Sequence, residues 1–342
     1  MDVMRASLDD SRMTAWMHAD PAFDRVLHIA HRDWHGIRQA TAYVPGHKLL
    51  IPAGGGLDEA DFEAIERQVS ELGITRAVFQ GYSNQADALA LRLAATCGPD
   101  LRLYAITHVT PAQFDNYFEM EMQARLLMRL RFGTIRRLGS VKPRFAETIG
   151  GYWPATILNF APNLPRDGLP ARPEPGTVHL PLDVGWRKNL HTNVLAALAC
   201  DRVGELRCAN FPNGLESIVD LGRLRLVGYL RGMRLLAMMA ASEAVLMATL
   251  AECQPMTQLE AHAVGRPALT GPLGLEEFAG DELTRLTEVG RLDNPPLIAA
   301  ALARLLDAAA ADPAAMTAMI DDHLVRRHAL AAERYADFLE LV

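Results

Sequence analysis

Short apolar runs alternate with segments of helical periodicity along most of the chain. In the first half the runs fall at residues 25–30, 48–53, 76–80, 101–107 and 156–160, each bounded by polar or turn-forming residues. Between them, residues 58–72, 84–96 and 111–130 repeat apolar side chains every three or four positions. Near-continuous apolar strands between amphipathic helices predict a parallel sheet covered on both faces. The pattern breaks at residues 161–176, where Pro162, Pro165, Pro170, Pro173 and Pro175 crowd into one loop that reads as an interdomain linker. It then restarts, with strands at 177–182, 205–209, 223–227 and 243–250 and a helix at 188–199. The expected fold is α/β, with two Rossmann-like domains over residues 1–165 and 166–342. The ligand is expected in the cleft between their strand carboxyl ends. Residues 294–342 are strongly helical, and the last of them either cross back to the first domain or cover the second sheet.

A chain of 342 residues, half of them hydrophobic, has enough apolar material for two such cores. Its net charge of −7 argues against wholesale nucleic-acid binding. Cys97, Cys200, Cys208 and Cys253 form no C-x-x-C pair and read as reduced thiols. No signal peptide and no membrane-spanning apolar run is legible, so a cytoplasmic protein is expected. Residues 122–144 change that picture locally. Arg125, Arg129, Arg131, Arg136, Arg137, Lys142 and Arg144 alternate there with leucine, methionine and phenylalanine, with no acidic residue. Two readings stay open: a surface for anionic lipid or a phosphorylated lipid-linked acceptor at the inner membrane face, or an amphipathic helix whose arginines are solvated or paired.

The best candidate chemistry lies in the second half. Glu252 and Glu260 stand eight positions apart, the first in the turn leaving an apolar run and the second on a short helix closed by Gly265 and Pro267. A turn of this kind exposes backbone N–H groups and a positive helix end, which suit an anionic or polyhydroxylated ligand. Upstream, Lys188 and Asn189 open a helix after the first strand of the second domain, and Val227-Gly228-Tyr229 end another strand.

This order, together with Asn159 near the domain junction, resembles the donor-site signature of retaining GT-B glycosyltransferases of the large group-1 class. The resemblance implies two Rossmann-like domains and transfer of a sugar from a nucleotide-diphosphate sugar, with a UDP-sugar slightly favoured. It implies no metal and no further cofactor. The acceptor would be a glycan, a lipid-linked glycan or a protein. Carried over residue by residue, Lys188 with Arg187 would neutralise the diphosphate and Glu260 would hold the ribose hydroxyls. Glu252 would reach the sugar hydroxyls, assisted by the backbone of Cys253, Gln254, Pro255, Met256 and Thr257. Backbone groups of Tyr229 and Leu230 would contact the base, and His108, at the end of the apolar run 101–107, would touch the donor sugar from the first domain. Glu252, Lys188 and His108 are thus the catalytic candidates. The chain departs from the signature twice. Leu182 stands where the family has an arginine, and Cys253-Gln254-Pro255 replaces a Gly/Ser-Phe-Gly turn. Two alternatives remain: a nucleotide-sugar 2-epimerase of GT-B shape, and a catalytically silent GT-B-like partner protein.

Elsewhere, His31 and His35 have the spacing of metal ligands on one helix face, but Gly36 points to a loop and the intervening residues match no metal pattern. Gly54-Gly55-Gly56 lacks the lysine of a phosphate loop, and reads with Gly81-Tyr82-Ser83-Asn84 as turns near the acceptor; Ser83 can equally cap a helix.

Overall fold

The computed structural model describes residues 15–145 and 154–341. The chain divides into two compact units, residues 1–163 with 328–342, and residues 164–327. The first unit runs β1 (Val26–His31), α1 (His35–Tyr43), β2 (His47–Ile51), α2 (Glu59–Glu71), β3 (Arg76–Gln80), α3 (Asn84–Thr96), β4 (Arg102–Thr107), α4 (Tyr117–Arg131), β5 (Arg137–Ser140) and β6 (Ala155–Thr156). The strands form one parallel sheet in the order β2-β1-β3-β4-β5-β6, so the winding reverses between β1 and β3. Every residue of β1 is buried, as expected of a strand covered on both faces. The helix starts are written in the sequence: Asp58 and Asp61 form a reciprocal capping box on α2, and Ser83 accepts from the Ala86 N–H to begin α3.

Three elements differ from the sequence reading. Residues 35–43 are a helix, because its last turn buries Ala40, Thr41, Ala42 and Tyr43, and that burial outweighs one glycine at its start. The apolar run 156–160 has its last bond to β5 at the Ile157 N–H, which donates to the Ser140 carbonyl at 2.9 Å, although Leu158 and Phe160 beyond it are fully buried. Burial alone does not require a ladder partner. Strand β5 lies inside the basic segment, its side chains too polar to register as a buried strand.

The second unit contains β7 (Glu174–Leu180), α5 (Leu190–Ala199), β8 (Glu205–Cys208), β9 (Leu224–Leu226), α6 (Met233–Ala240), β10 (Ser242–Met247), α7 (Met256–Ala263), β11 (Ala268–Thr270), α8 (Glu282–Thr287), α9 (Pro295–Ala311) and α10 (Pro313–Phe338). Its parallel sheet has the order β11-β10-β7-β8-β9, which places the reversal between β7 and β10. Helix α10 contributes residues through Arg327 to this unit and the rest to the first unit. Within the first unit the end of the chain is tightly held. Arg76 donates to the Leu339 carbonyl at 2.6 Å, Arg137 to the Asp337 carbonyl at 2.6 Å, and the Glu340 carboxylate pairs with Arg102 and Arg136.

Candidate functional site

In open α/β sheets, ligands bind beyond the strand carboxyl ends where the winding reverses. In the second unit that point lies between β7 and β10. Strand β7 leads into a single helical turn, Trp186–Lys188, then to Asn189 in the left-handed conformation (φ 57°), and then into α5. Strand β10 leads through residues 248–255 into α7. Backbone and amide hydrogen bonds tie the two loops together. The Leu250 N–H donates to the Arg187 carbonyl at 2.8 Å, and Asn189 Nδ2 donates to the carbonyls of Ala248 (3.1 Å) and Leu292 (2.7 Å). Asn193 both donates to and accepts from the Ala248 backbone, each at 3.0 Å. These bonds bring together residues 64 positions apart: the Glu252 carboxylate meets the Lys188 ammonium, with the Arg187 guanidinium 3.5 Å away. The side chains are partly screened from water, 15% exposed for Glu252 and 25% for Lys188.

Beyond Glu252 the chain turns inward. Cys253, Gln254 and Met256 are buried, and the Gln254 amide oxygen accepts from Arg327, itself buried. Pro255 precedes α7 in extended conformation and supplies no side-chain cap, so the positive end of this helix lies directly after the Glu252 loop. Glu260 is only 4% exposed, deeper than the sequence reading implied for a residue that must meet a ribose. Tyr229, Leu230 and Thr257 line a common pocket with His179, Pro181 and Ala209. Leu182, at the family's arginine position, is buried, and its carbonyl accepts from Asn210.

His108 follows β4 directly in the first unit. Its Nε2–H donates to Gln80 Oε1 at 2.8 Å, the Gln80 amide donates to His28 Nδ1 at 3.1 Å, and His28 Nε2–H donates to the Pro45 carbonyl at 3.0 Å. A carbonyl only accepts, so the chain of bonds fixes the tautomer of both rings. Burial holds both imidazoles neutral, lowering His108 to about 4 and His28 well below its ordinary value.

The other residues singled out in the sequence lie in the first unit. His31 bonds Ser83 at 2.7 Å while His35 Nδ1 accepts from Arg38, and among the described residues no three His, Cys, Asp or Glu side chains form a group able to hold a metal. Gly54 to Gly56 form an exposed bend after β2. In the basic segment Arg125 and Arg129 engage Asp87, Arg125 also engages Glu121, and Arg136 and Arg137 engage Glu340 and Asp337. Among the described residues no helix is long and apolar enough to cross a membrane. The sequence reading missed Asn193 and His179. A second asparagine one turn after Asn189, in a helix whose later residues are all apolar, was the available signal for the first; a histidine inside an apolar strand gave little for the second.

No protein-family model matches the chain, and no curated protein matches it. Solved structures match its fold. A variant of S. aureus TarM, in complex with fondaparinux, α-GlcNAc-glycerol and UDP, aligns with TM-score 0.57 at 12% identity over 81% of this chain and 58% of that one. This chain therefore spans under two thirds of TarM. A UDP-forming α,α-trehalose-phosphate synthase from Burkholderia xenovorans, in complex with glucose-6-phosphate, aligns with TM-score 0.57 at 12% identity over 93% of this chain and all of that one. A putative UDP-N-acetylglucosamine 2-epimerase from Listeria monocytogenes aligns with TM-score 0.50 at 13% identity over 87% and 91%. The two parallel-sheet α/β units are those of the GT-B fold.

Proposed function

We propose that this protein is a retaining glycosyltransferase that moves a sugar from a nucleotide-diphosphate sugar, with UDP as the favoured carrier, to a glycan, lipid-linked or protein acceptor. The observation that carries the reading is the convergence of Lys188, Arg187 and Glu252 at the reversal point of the second sheet, on the loop that leads into α7. Two cations and a helix N-terminus suit a diphosphate, and Glu252 beside them suits sugar hydroxyls. TarM was solved with UDP and the trehalose-phosphate synthase is UDP-forming; both share this fold, which supports the choice of base.

In this reading the donor's diphosphate draws Lys188 from Glu252, and the freed carboxylate takes a sugar hydroxyl. The bond from the anomeric carbon to the diphosphate oxygen breaks, the acceptor oxygen bonds to the same face, and its proton passes to the departing diphosphate. Lys188 and Arg187 stabilise the charge that develops on that leaving group. His108, neutral and held by Gln80, is assigned to the donor sugar. The backbone of Cys253 to Thr257 serves sugar and phosphate, and that of Tyr229 and Leu230 serves the base. Glu260 is assigned to the ribose, which requires α7 to expose a carboxylate now buried.

The Listeria neighbour favours one second reading, a nucleotide-sugar 2-epimerase, which needs the same diphosphate site. A scanning fluorimetry screen against UDP-, GDP-, ADP- and TDP-sugars tests both. A shift with a UDP-sugar that disappears in Lys188→Ala is expected, followed by product carrying sugar on an acceptor. Epimer formed without acceptor would select the second reading, and no shift with any nucleotide would overturn both.

A further inference from the structure

Helix α4 is apolar on two faces, and the fold of the first unit uses one of them. Its inner residues Met122 and Leu126 join Leu89 and Leu93 of α3 in the core against the first sheet. The outer face of such a helix is ordinarily charged or polar. Here Tyr117, Met120, Ala124, Met128, Arg131 and Phe132 are exposed, and Tyr117 and Phe132 leave 72% and 74% of their surface to water. Steps of three, four, four and three residues from Tyr117 to Arg131 set the first five on a single stripe. Tyrosine, phenylalanine, methionine and arginine are the residue types enriched where proteins meet. The stripe is also symmetric about Ala124. Met120 and Met128 lie four positions to either side, and Tyr117 and Arg131 lie seven. Charge divides at the same point, with Glu119 and Glu121 in the first half of the helix and Arg125, Arg129 and Arg131 in the second.

We propose that α4 is a dimerisation surface, packing antiparallel on α4 of a second copy of this chain about a twofold axis at Ala124. A twofold contact is self-complementary, so the axis fixes which residue each one meets. Ala124 faces Ala124, and the small side chains let the helices approach closely. Met120 faces Met128 of the second copy, where flexible thioethers fill the space between the helices. The Tyr117 ring faces the Arg131 guanidinium of the second copy, a cation–π pair made twice. The acidic half of each helix lies along the basic half of the other, and the two helix dipoles oppose. A crossing about 20° from antiparallel keeps all three pairings within reach along this 15-residue helix. A helix about 22 Å long covers less than the ~800 Å² per partner of a standard interface, so a dimer of micromolar strength is expected. An anionic membrane fits this face less well, because Glu119 and Glu121 stand in its first half and Arg125 and Arg129 are engaged by Glu121 and Asp87.

Analytical ultracentrifugation of the full chain from about 1 to about 200 μM is expected to show a species of twice the 37.5 kDa chain mass that grows with concentration. Ala124→Glu and Ala124→Lys each place two like charges across the axis, and each should weaken the dimer about tenfold or more. An equimolar mixture of the two variants lets Glu meet Lys at the axis and should restore dimer to about the unaltered strength. Both substitutions put a good helix former at an exposed position, and circular dichroism checks that each variant is folded. A chain that stays monomeric over this range would overturn the proposal, as would a dimer indifferent to either substitution or a mixture no more dimeric than its components. Sedimentation of a monomeric protein with phosphatidylcholine–phosphatidylglycerol vesicles, lost in Ala124→Glu, would give the face to a membrane and overturn it as well.

Discussion

Acid should destabilise this protein well above the pH at which its carboxylates titrate. His179 and His323 in the second unit and His31 in the first are all buried, and burial lowers each from 6.5 to about 4. Because the folded value is the lower one, the unfolded chain binds more protons than the folded chain below pH 6.5. Stability is therefore complete above about pH 6.5 and declines as pH falls toward 4. At pH 5 the unfolded state gains a factor of about thirty per histidine, or about 2 kcal/mol each. His179 and His323 together then remove about 4 kcal/mol from a unit whose total stability is on the order of 10 kcal/mol. The paired carboxylates confuse this little: Asp87 and Glu66 are held below their ordinary values and contribute their change at lower pH. Urea unfolding followed by circular dichroism at pH 7.5 and 5.0 reads the effect. A midpoint lower by about 1 M or more at pH 5.0 is expected. His323→Leu should shrink the pH dependence by about a third of the second unit's share, because His262 is also buried and lowered there. Equal midpoints at the two pH values would refute the reasoning, since three neutral buried imidazoles cannot then be present.

Two further outcomes follow from the ion pairs. Asp87→Asn should cost about 2–4 kcal/mol in urea unfolding, because the carboxylate is buried, accepts from Tyr82 at 2.8 Å and binds Arg129 at 2.7 Å, and its loss strands a guanidinium. Sedimentation with liposomes should not rise with anionic lipid content, because Arg125, Arg129, Arg136 and Arg137 already have carboxylate partners within the protein.

The fold was legible wherever apolar periodicity was strong. β3 and α3 match their sequence ranges, since Arg76 to Gln80 is a short apolar run and Ser83 caps the helix that follows. The failures share a cause: α1 is recognisable only by what its last turn buries, and β5 is polar because neighbouring side chains, not its own, cover it. The ion pairs of the basic segment were not legible for a related reason. Its composition lacks acids, but its partners Asp87, Asp337 and Glu340 lie far along the chain, and charge pairing at that range leaves no local trace.

The site shows a different division. The spacing of Glu252 and Glu260 placed one on the loop after β10 and the other on α7, yet it did not reveal that Glu260 is buried or that Glu252 is held by Lys188. The sequence also gave no sign of how the two loops are fixed. Asn189 in the left-handed conformation and Asn193 one turn later clamp the Ala248 carbonyl, so Lys188 and Glu252 stand in position before any ligand arrives. Ordering those loops at the moment of binding would consume affinity, and the amide clamps remove that cost in advance. Both asparagines act through the backbone of Ala248, so the clamp uses no side-chain chemistry at position 248. This is why the clamp is invisible as a motif and appears only when β7 and β10 lie side by side.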